Sequence, residues 1–475
     1  MCMKKGLPNI ILGLFVVILT GTLFWWQSYN PVKAIVLSEP GMDNRIVGDA
    51  VVELVKIGEM FSSLAESSIS GMESWPRFRG ADIDNISKSE IPLIEKFSVG
   101  GPVKLWSVDL GEGHAGAAIC DGKAYILDYD EGRRADLLRC YELSTGIELW
   151  QRGYRVAIKR NHGMSRTVPA ITEKYILTIG PRGHVMCLDR ETGDFRWGLD
   201  LITKYQSELP FWYTGQCPLI DNDVAILAPG GSSIMIGVDC ESGETLWETA
   251  SPKNWKMSHA SIIPWTFGGQ NMYVYSAVGG VCGIAADGAE PGKILWSTSE
   301  WNHTVVAPTS VCMPDGKIFL SAGYGAGSMM IRVQKSGSEF SVNILEEYKP
   351  IEGLASEQQT PLYYNGKLLG ILPKDAGPLR NQFVCVDPVN PKKVLWSSGK
   401  ETRFGLGPYI IADNKFFILS DEGELTIARL STRSWEELDK YKVLEGHDAW
   451  APIAVADGYM VVRDSKTLIC LDMRK

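Results

Sequence analysis

The chain has 475 residues, 45% hydrophobic and 22% charged, with 49 Gly, 24 Pro and 15 Trp. This aromatic-rich, near-average composition supports a large buried core and excludes a disordered polypeptide. The formal charge of −9 comes with no long basic run, so the phosphate-neutralising surface of a nucleic-acid binder is missing and nucleic acid is not an expected partner.

The first predicted element is apolar. No charge occurs between Lys5 and Lys33, and Leu7 to Trp26 is mostly Leu, Ile, Val and Phe, ending in Phe24, Trp25 and Trp26. About 20 such residues span a bilayer, with Lys4 and Lys5 favouring the cytoplasmic side and the Trp pair the far headgroup layer. Residues 1–33 therefore read as a cytoplasmic tip and a transmembrane signal-anchor helix, with the rest of the chain outside the cytoplasm. The competing reading is a cleaved signal peptide ending near Val32-Lys33-Ala34, which releases a soluble exported protein. Residues 34–74 read as a connector, in which Asp49 caps a short amphipathic helix carrying Ala50, Leu54, Ile57, Phe61 and Leu64.

Beyond Trp75 the chain repeats. Trp106, Trp150, Trp197, Trp247 and Trp296 recur at intervals of 44 to 50 residues, and Trp396 follows after two such periods. Before each of the next three stands a strand, an acidic residue and a Gly turn: Cys140-Tyr141-Glu142 with Thr145-Gly146, Cys187-Leu188-Asp189 with Thr192-Gly193, and Val238-Asp239 with Ser242-Gly243. Gly supplies the positive φ of a tight hairpin. A second hairpin signal lies upstream, as in Asp121-Gly122-Lys123, Asp315-Gly316-Lys317 and Asn365-Gly366-Lys367, so each unit holds four short strands. Sheets of this kind repeated at 40 to 50 residues build a β-propeller, because one sheet cannot bury both faces alone. Innermost strands are expected near Ala117, Pro169, Pro218, Ile262, Pro308, Pro361, Pro408 and Pro452, which makes eight blades over 75–475. The last unit lacks its fourth strand, and Val103-Lys104-Leu105-Trp106 is an orphan fourth strand, expected to pair into it and close the ring. The repeated Trp side chains are expected to pack between neighbouring blades.

Cys140, Cys187, Cys385 and Cys470 share one phase of the repeat, which predicts small buried thiols in separate blades rather than a disulfide framework. The histidines also share a phase. Five of six, His114, His162, His259, His303 and His447, fall just before an innermost strand, where Arg166, Trp212, Tyr213, Gln216, Gln358, Gln359, Arg403, Phe404 and Trp450 also stand. Such loops converge on one mouth of the axial channel, a concave place for a ligand. The candidate ligand-binding set is His114, His162, Arg166, Trp212, Gln216, His259, His303, Gln359, Arg403 and Trp450. The arginines would grip an anion, the Trp rings would stack on a flat or sugar ring, and the histidines would move protons. Structural hydrogen bonding across a wet channel is the bland alternative. Gly323, Gly325 and Gly327 read as a flexible hairpin, not a dinucleotide loop, because no helix follows. No catalytic residue and no metal ligand set is read from the sequence.

The stretch WPRFRG at Trp75 to Gly80, then Asn85 and tandem CxDxxTGxxxW units, resembles bacterial PQQ-like β-propeller repeat proteins. That family includes quinoprotein dehydrogenases and the propeller lipoprotein of outer-membrane barrel assembly. The resemblance implies the fold, an all-β eight-bladed propeller, and a home at the bacterial inner membrane with the propeller in the periplasm. The adjacent Cys pair of the alcohol dehydrogenases and the lipobox Cys of the assembly protein are both missing here. The expected function is therefore a membrane-anchored, non-catalytic binding or scaffold protein, meeting an envelope protein or a small ligand. The alternative is a periplasmic alcohol or aldose oxidoreductase that uses PQQ with calcium. A carbohydrate-binding propeller, resting on the aromatic loops with Glu357 and Asp448, comes third.

Overall fold

The computed structural model describes residues 7–29, 54–67 and 69–475. They fall into two units, 1–54 and 55–475. In the first, helix α1 runs Leu7–Ser28. Its side chains are described from Leu12 on and are exposed, Phe15, Val17 and Trp26 among them. Among the described residues no helix is long and apolar enough to cross a membrane, so the expected span and the anchoring it implied find no support in the fold. Asp49, Ala50 and the Val32–Ala34 cleavage position lie outside the described residues.

The second unit consists of eight antiparallel sheets, each a meander running outward from the axis. Blade 1 is Ala118–Cys120, Lys123–Asp130, Ala135–Glu142 and Glu148–Arg155. The innermost strands of blades 2 to 8 begin at Ala170, Leu219, Ile263, Val311, Leu362, Tyr409 and Ala454, all within three residues of the expected openings. Blade 8 supplies only three strands, ending in Thr467–Asp472. Its fourth is Val103–Asp109, antiparallel to it with Val103 opposite Asp472 and Trp106 opposite Cys470. The ring is thus closed by residues from the start of the repeat region. Each sheet is covered by two neighbours, so second strands such as Lys123–Asp130 are buried on both faces.

The repeated Trp locks one blade to the next. Trp106 Nε1 donates to Leu143 O at 2.7 Å and its ring covers Gly146 of blade 1. Trp197 Nε1 donates to Cys240 O at 2.9 Å and covers Gly243 of blade 3. Glycine is required twice at these turns. Gly146 and Gly243 have φ of 73° and 76°, and a Cβ there would come within 2.7 Å of the Trp ring. The nine described cysteines are free thiols, and all but Cys312 are buried. Burial pushes Cys140 and Cys470 up to about 12.

The connector differs from expectation. Where helical spacing predicts a helix through Ile57 and Phe61, Met60–Ser63 is a strand on the outer edge of blade 1, pairing Met60 with Gly153 and Ser63 with Trp150. That edge carries unpaired N–H and C=O groups, and satisfying them outweighs the helical pattern of a few residues. Phe61 packs on Trp150 with ring centroids 6.4 Å apart, beneath Arg152, whose guanidinium lies 4.0 Å from the Phe61 ring. This strand and the rest of Val55–Lys475 form one compact unit.

The WPRFRG segment is a plug. Trp75 bridges to Ile119, Pro76 O accepts from Ile171 N, and Arg77 donates to Ile220 O, linking blades 1, 2 and 3. The chain then crosses the axis: Arg79 donates to Pro361 O, Asn85 to Tyr409 O, and Leu93 N to the Asp413 carboxylate. This crossing gives the axial channel a floor.

Candidate functional site

Every one of the eight segments feeding an innermost strand contributes to a single well of about 220 Å³ on the axis. In blade order they supply His114; His162 and Arg166; Trp212; His259; Val305 and Ala307; Glu357, Gln358 and Gln359; Leu406; and Trp450. Phe78 of the plug also lines it, as does Tyr324 from the turn between the second and third strands of blade 5. Convergence follows from topology: all innermost strands run in one direction along the axis, so the segments entering them meet at one end.

The walls are aromatic. Trp212 stacks on Tyr324 with centroids 5.7 Å apart at 21°, and on His259 at 6.2 Å and 25°. His114 and Trp450 form a second pair at 4.7 Å. The backbones of His162, Trp212 and Tyr324 are left-handed, with φ of 50°, 64° and 57°. Non-glycine residues adopt that region at a cost of about 1–3 kcal/mol each, and such strain collects at functional sites.

A hydrogen-bond relay holds the loops. Arg166 Nε donates to Trp212 O at 2.6 Å and its Nη2 to His162 O. His114 Nε2 also meets His162 O, at 3.1 Å. Burial, reinforced by the Arg166 charge, pulls His114 down to about 3 and His259 to about 4, so both rings are neutral at physiological pH. With a carbonyl as its partner, His114 Nε2 carries the proton. Four buried polar atoms here have no partner: His114 Nδ1, His259 Nε2, Trp450 Nε1 and Glu357 Oε2. Glu357 Oε1 lies 3.5 Å from Lys374 Nζ.

Seven of the ten candidates line the well: His114, His162, Arg166, Trp212, His259, Gln359 and Trp450. Three do not. Gln216 is fully buried beneath it, its amide donating to Ala228 O and Tyr275 Oη and accepting from Ala228 N. His303 stands edge-on to buried Trp301 at 4.3 Å. Arg403 staples its loop to the turn before Phe383 of blade 6, donating to Lys400 O, Arg380 O and Pro378 O. Arg166 lines the well, yet its Nε and Nη2 are spent on carbonyls rather than held for an anion. His447, outside the well, pairs with Asp448 at 2.9 Å. Sequence reasoning missed Phe78 and Tyr324. The turn between second and third strands opens on the same face as the histidine loops, and that was the available signal for Tyr324.

Residues 134–339, from blade 1 into blade 5, match the family model described as outer membrane protein assembly factor BamB. That stretch is similar to the family, and the fold of the unit 55–475 is an eight-bladed β-propeller. Among solved structures it is similar to BamB from Moraxella catarrhalis, at 13% identity and a TM-score of 0.51, covering 78% of this chain and 97% of that one. It is also similar to a europium-containing methanol dehydrogenase, at 10% identity and a TM-score of 0.55, covering 82% and 89%. At these identities the likeness is one of fold. No curated protein matches the chain.

The cofactor of a quinoprotein dehydrogenase does not suit the well of this propeller. A cavity of about 150 Å³ takes one benzene ring, so about 220 Å³ holds a single substituted ring and not a fused quinone. Quinone carboxylates would meet the Glu357 carboxylate, while Arg166 already serves two loop carbonyls. Among the described residues no three His, Cys, Asp or Glu side chains gather as a metal set.

Proposed function

We propose that this chain is a non-catalytic binding propeller whose axial well takes a small single-ring ligand. The observation that carries the reading is a single axial well to which all eight blades contribute, walled by the stacked Trp212, Tyr324 and His259 rings. The strained backbones of His162, Trp212 and Tyr324 support it. The family description as an assembly factor supports a scaffold role for the outer blade surfaces toward an envelope protein.

Thermal unfolding of the full chain against single-ring neutral, cationic and anionic compounds tests the pocket. At least one compound should raise Tm, and the rise should vanish in Trp212→Ala. No shift with any compound overturns the reading. The uncharged stretch from Gly6 to Val32 supports export of the propeller from the cytoplasm. Protease added to intact spheroplasts should then digest the protein, and full protection would refute export.

A further inference from the structure

The boundary between blades 3 and 4 holds a second cavity, at the end of the ring away from the well. It measures about 350 Å³ and is lined by Asp221 and Trp247 of blade 3 and by Trp265, Asn271, Tyr273 and Asp287 of blade 4. A longer turn makes room for it. Cys187 pairs with Trp197 and Gly237 with Trp247, whereas Gly283 pairs with Trp296, so the outer turn of blade 4 has three more residues than those of blades 2 and 3. Trp247 still covers a turn glycine, Gly292, and Asp287 stands in the stretch of the turn before it.

The walls are aromatic and the charge is of one sign. Trp247 stacks on Tyr273 with centroids 6.3 Å apart at 15°, and Trp265 on Phe267 at 4.9 Å and 11°. Asp221 accepts from Tyr273 Oη at 2.8 Å and from Asn222 Nδ2 at 3.0 Å. Asp287 accepts from Asn271 Nδ2 at 2.6 Å and from Gln270 Nε2 at 3.3 Å. All four donors are neutral. Burial raises the Tyr273 pKa, and the charges of Asp221 and Asp287 raise it further, so both carboxylates act on one hydroxyl. No Lys, Arg or His lines the cavity. Arg77 feels the Asp221 charge from outside the lining and gives its Nη1 to Ile220 O.

Charge and shape select the occupant. An anion meets two carboxylates, and a neutral ring stacks but leaves both charges unbalanced. A hard metal ion wants about six oxygen ligands, and the indole walls supply none. An ammonium or guanidinium is drawn by aromatic faces and by carboxylates alike, and each carboxylate oxygen keeps a lone pair for it.

We propose that this cavity is a site for an organic cation. It holds one ammonium or guanidinium group against the Trp247 and Trp265 rings with its charge between Asp221 and Asp287, carried either by a free small molecule or by a basic side chain of a peptide. The site is separate from the axial well and does not rest on the reading of that well.

The test is calorimetry on the full chain. The probes are choline, agmatine and the capped peptide acetyl-Gly-Arg-Gly-amide, with 3,3-dimethylbutanol (the uncharged isostere of choline), benzoate and calcium chloride as comparators. At least one cation should bind with a Kd of about 1 mM or tighter and should weaken as salt is raised. Asp287→Asn, in an exposed turn and expected to fold, should weaken it about threefold, and Trp265→Leu about fivefold. Glu290→Gln, in the same turn but outside the lining, should leave it unchanged. Tighter binding of the peptide than of agmatine identifies a side chain, and the reverse a free small cation; either supports the site. Equal binding of choline and 3,3-dimethylbutanol, or binding of calcium with no organic cation bound, overturns the class of ligand. Cation binding indifferent to both substitutions overturns the location. No cation binding removes the proposal and leaves the axial well untouched.

Discussion

Asp136 is buried between blades 1 and 2, where Tyr154 Oη donates to its Oδ2 at 2.7 Å. Burial pushes its carboxyl from 3.8 up to about 7, so between those pH values the folded chain holds a proton that the unfolded chain releases. Stability from this group is complete below about pH 4 and is lost as pH rises toward 7, by on the order of 3 kcal/mol. The buried histidines act oppositely: His114, His184 and His259 are pulled below 6.5, so their contribution falls as pH drops below that value. Asp136→Asn isolates the first effect. Subtracting its denaturant-derived stabilities from those of the parent between pH 4 and 8 should give a curve that declines with pH, and a flat difference would refute the assignment. The histidine phase was legible in the sequence because topology alone brings such loops together. The arginine roles were not. Whether a guanidinium meets a ligand or a carbonyl depends on how its loop folds back, and for Arg166 and Arg403 the carbonyls win.

Two elements were misjudged or undervalued in the sequence for physical reasons. Residues near Ile57 to Leu64 fit both a helical face and a strand, and only the open edge of blade 1 decides between them. Phe61→Ala should cost about 1 kcal/mol, because the ring, 41% exposed, buries only part of its area on Trp150 and Arg152. Hydrogen exchange should quicken selectively in Glu148–Arg155; unchanged exchange there would mean that the added strand does not depend on Phe61. The WPRFRG plug was read as a family mark and proves to be the floor of the well. Within it Arg79 is 4% exposed, its Nη2 reaches only Pro361 O at 3.4 Å, and its Nε has no partner. Burial without a paired carboxylate draws its pKa to about 10. Replacing a buried, poorly compensated charge with an apolar side chain is often neutral or stabilising. Arg79→Met should leave unfolding free energy unchanged or raise it by about 1 kcal/mol, and a clear loss would reveal a stronger role for the guanidinium.

At the scale of the ring, blade number and closure were legible because period-two strands and tight turns recur along the whole repeat region and a Trp returns at a fixed phase six times. The seam is where that redundancy ends. It lies inside blade 8, where Val103–Asp109 pairs with Thr467–Asp472 with no direct chain link between them; blade 8 is tied to blade 1 by the chain through residues 110–117, by the Trp106 lock and by Arg463. That guanidinium, 1% exposed, donates to Gly111 O at 2.8 Å and to Ala115 O and Leu127 O. Trp106→Ala and Trp197→Ala remove nearly the same contact, a buried indole with a 2.7 or 2.9 Å bond across a blade boundary, so each should cost about 3–5 kcal/mol. Their consequences for cooperativity should differ. Loss at Trp197 leaves a ring with one weak joint, whereas loss at Trp106 allows the toroid to open into a linear array whose stability is only a sum of neighbours. Native-state hydrogen exchange should therefore show Val103–Asp109 and Thr467–Asp472 opening together below the global transition in Trp106→Ala. In Trp197→Ala the loss should stay within blades 2 and 3. Equal, local effects in both variants would mean that the closing strand Val103–Asp109 holds the ring without its Trp.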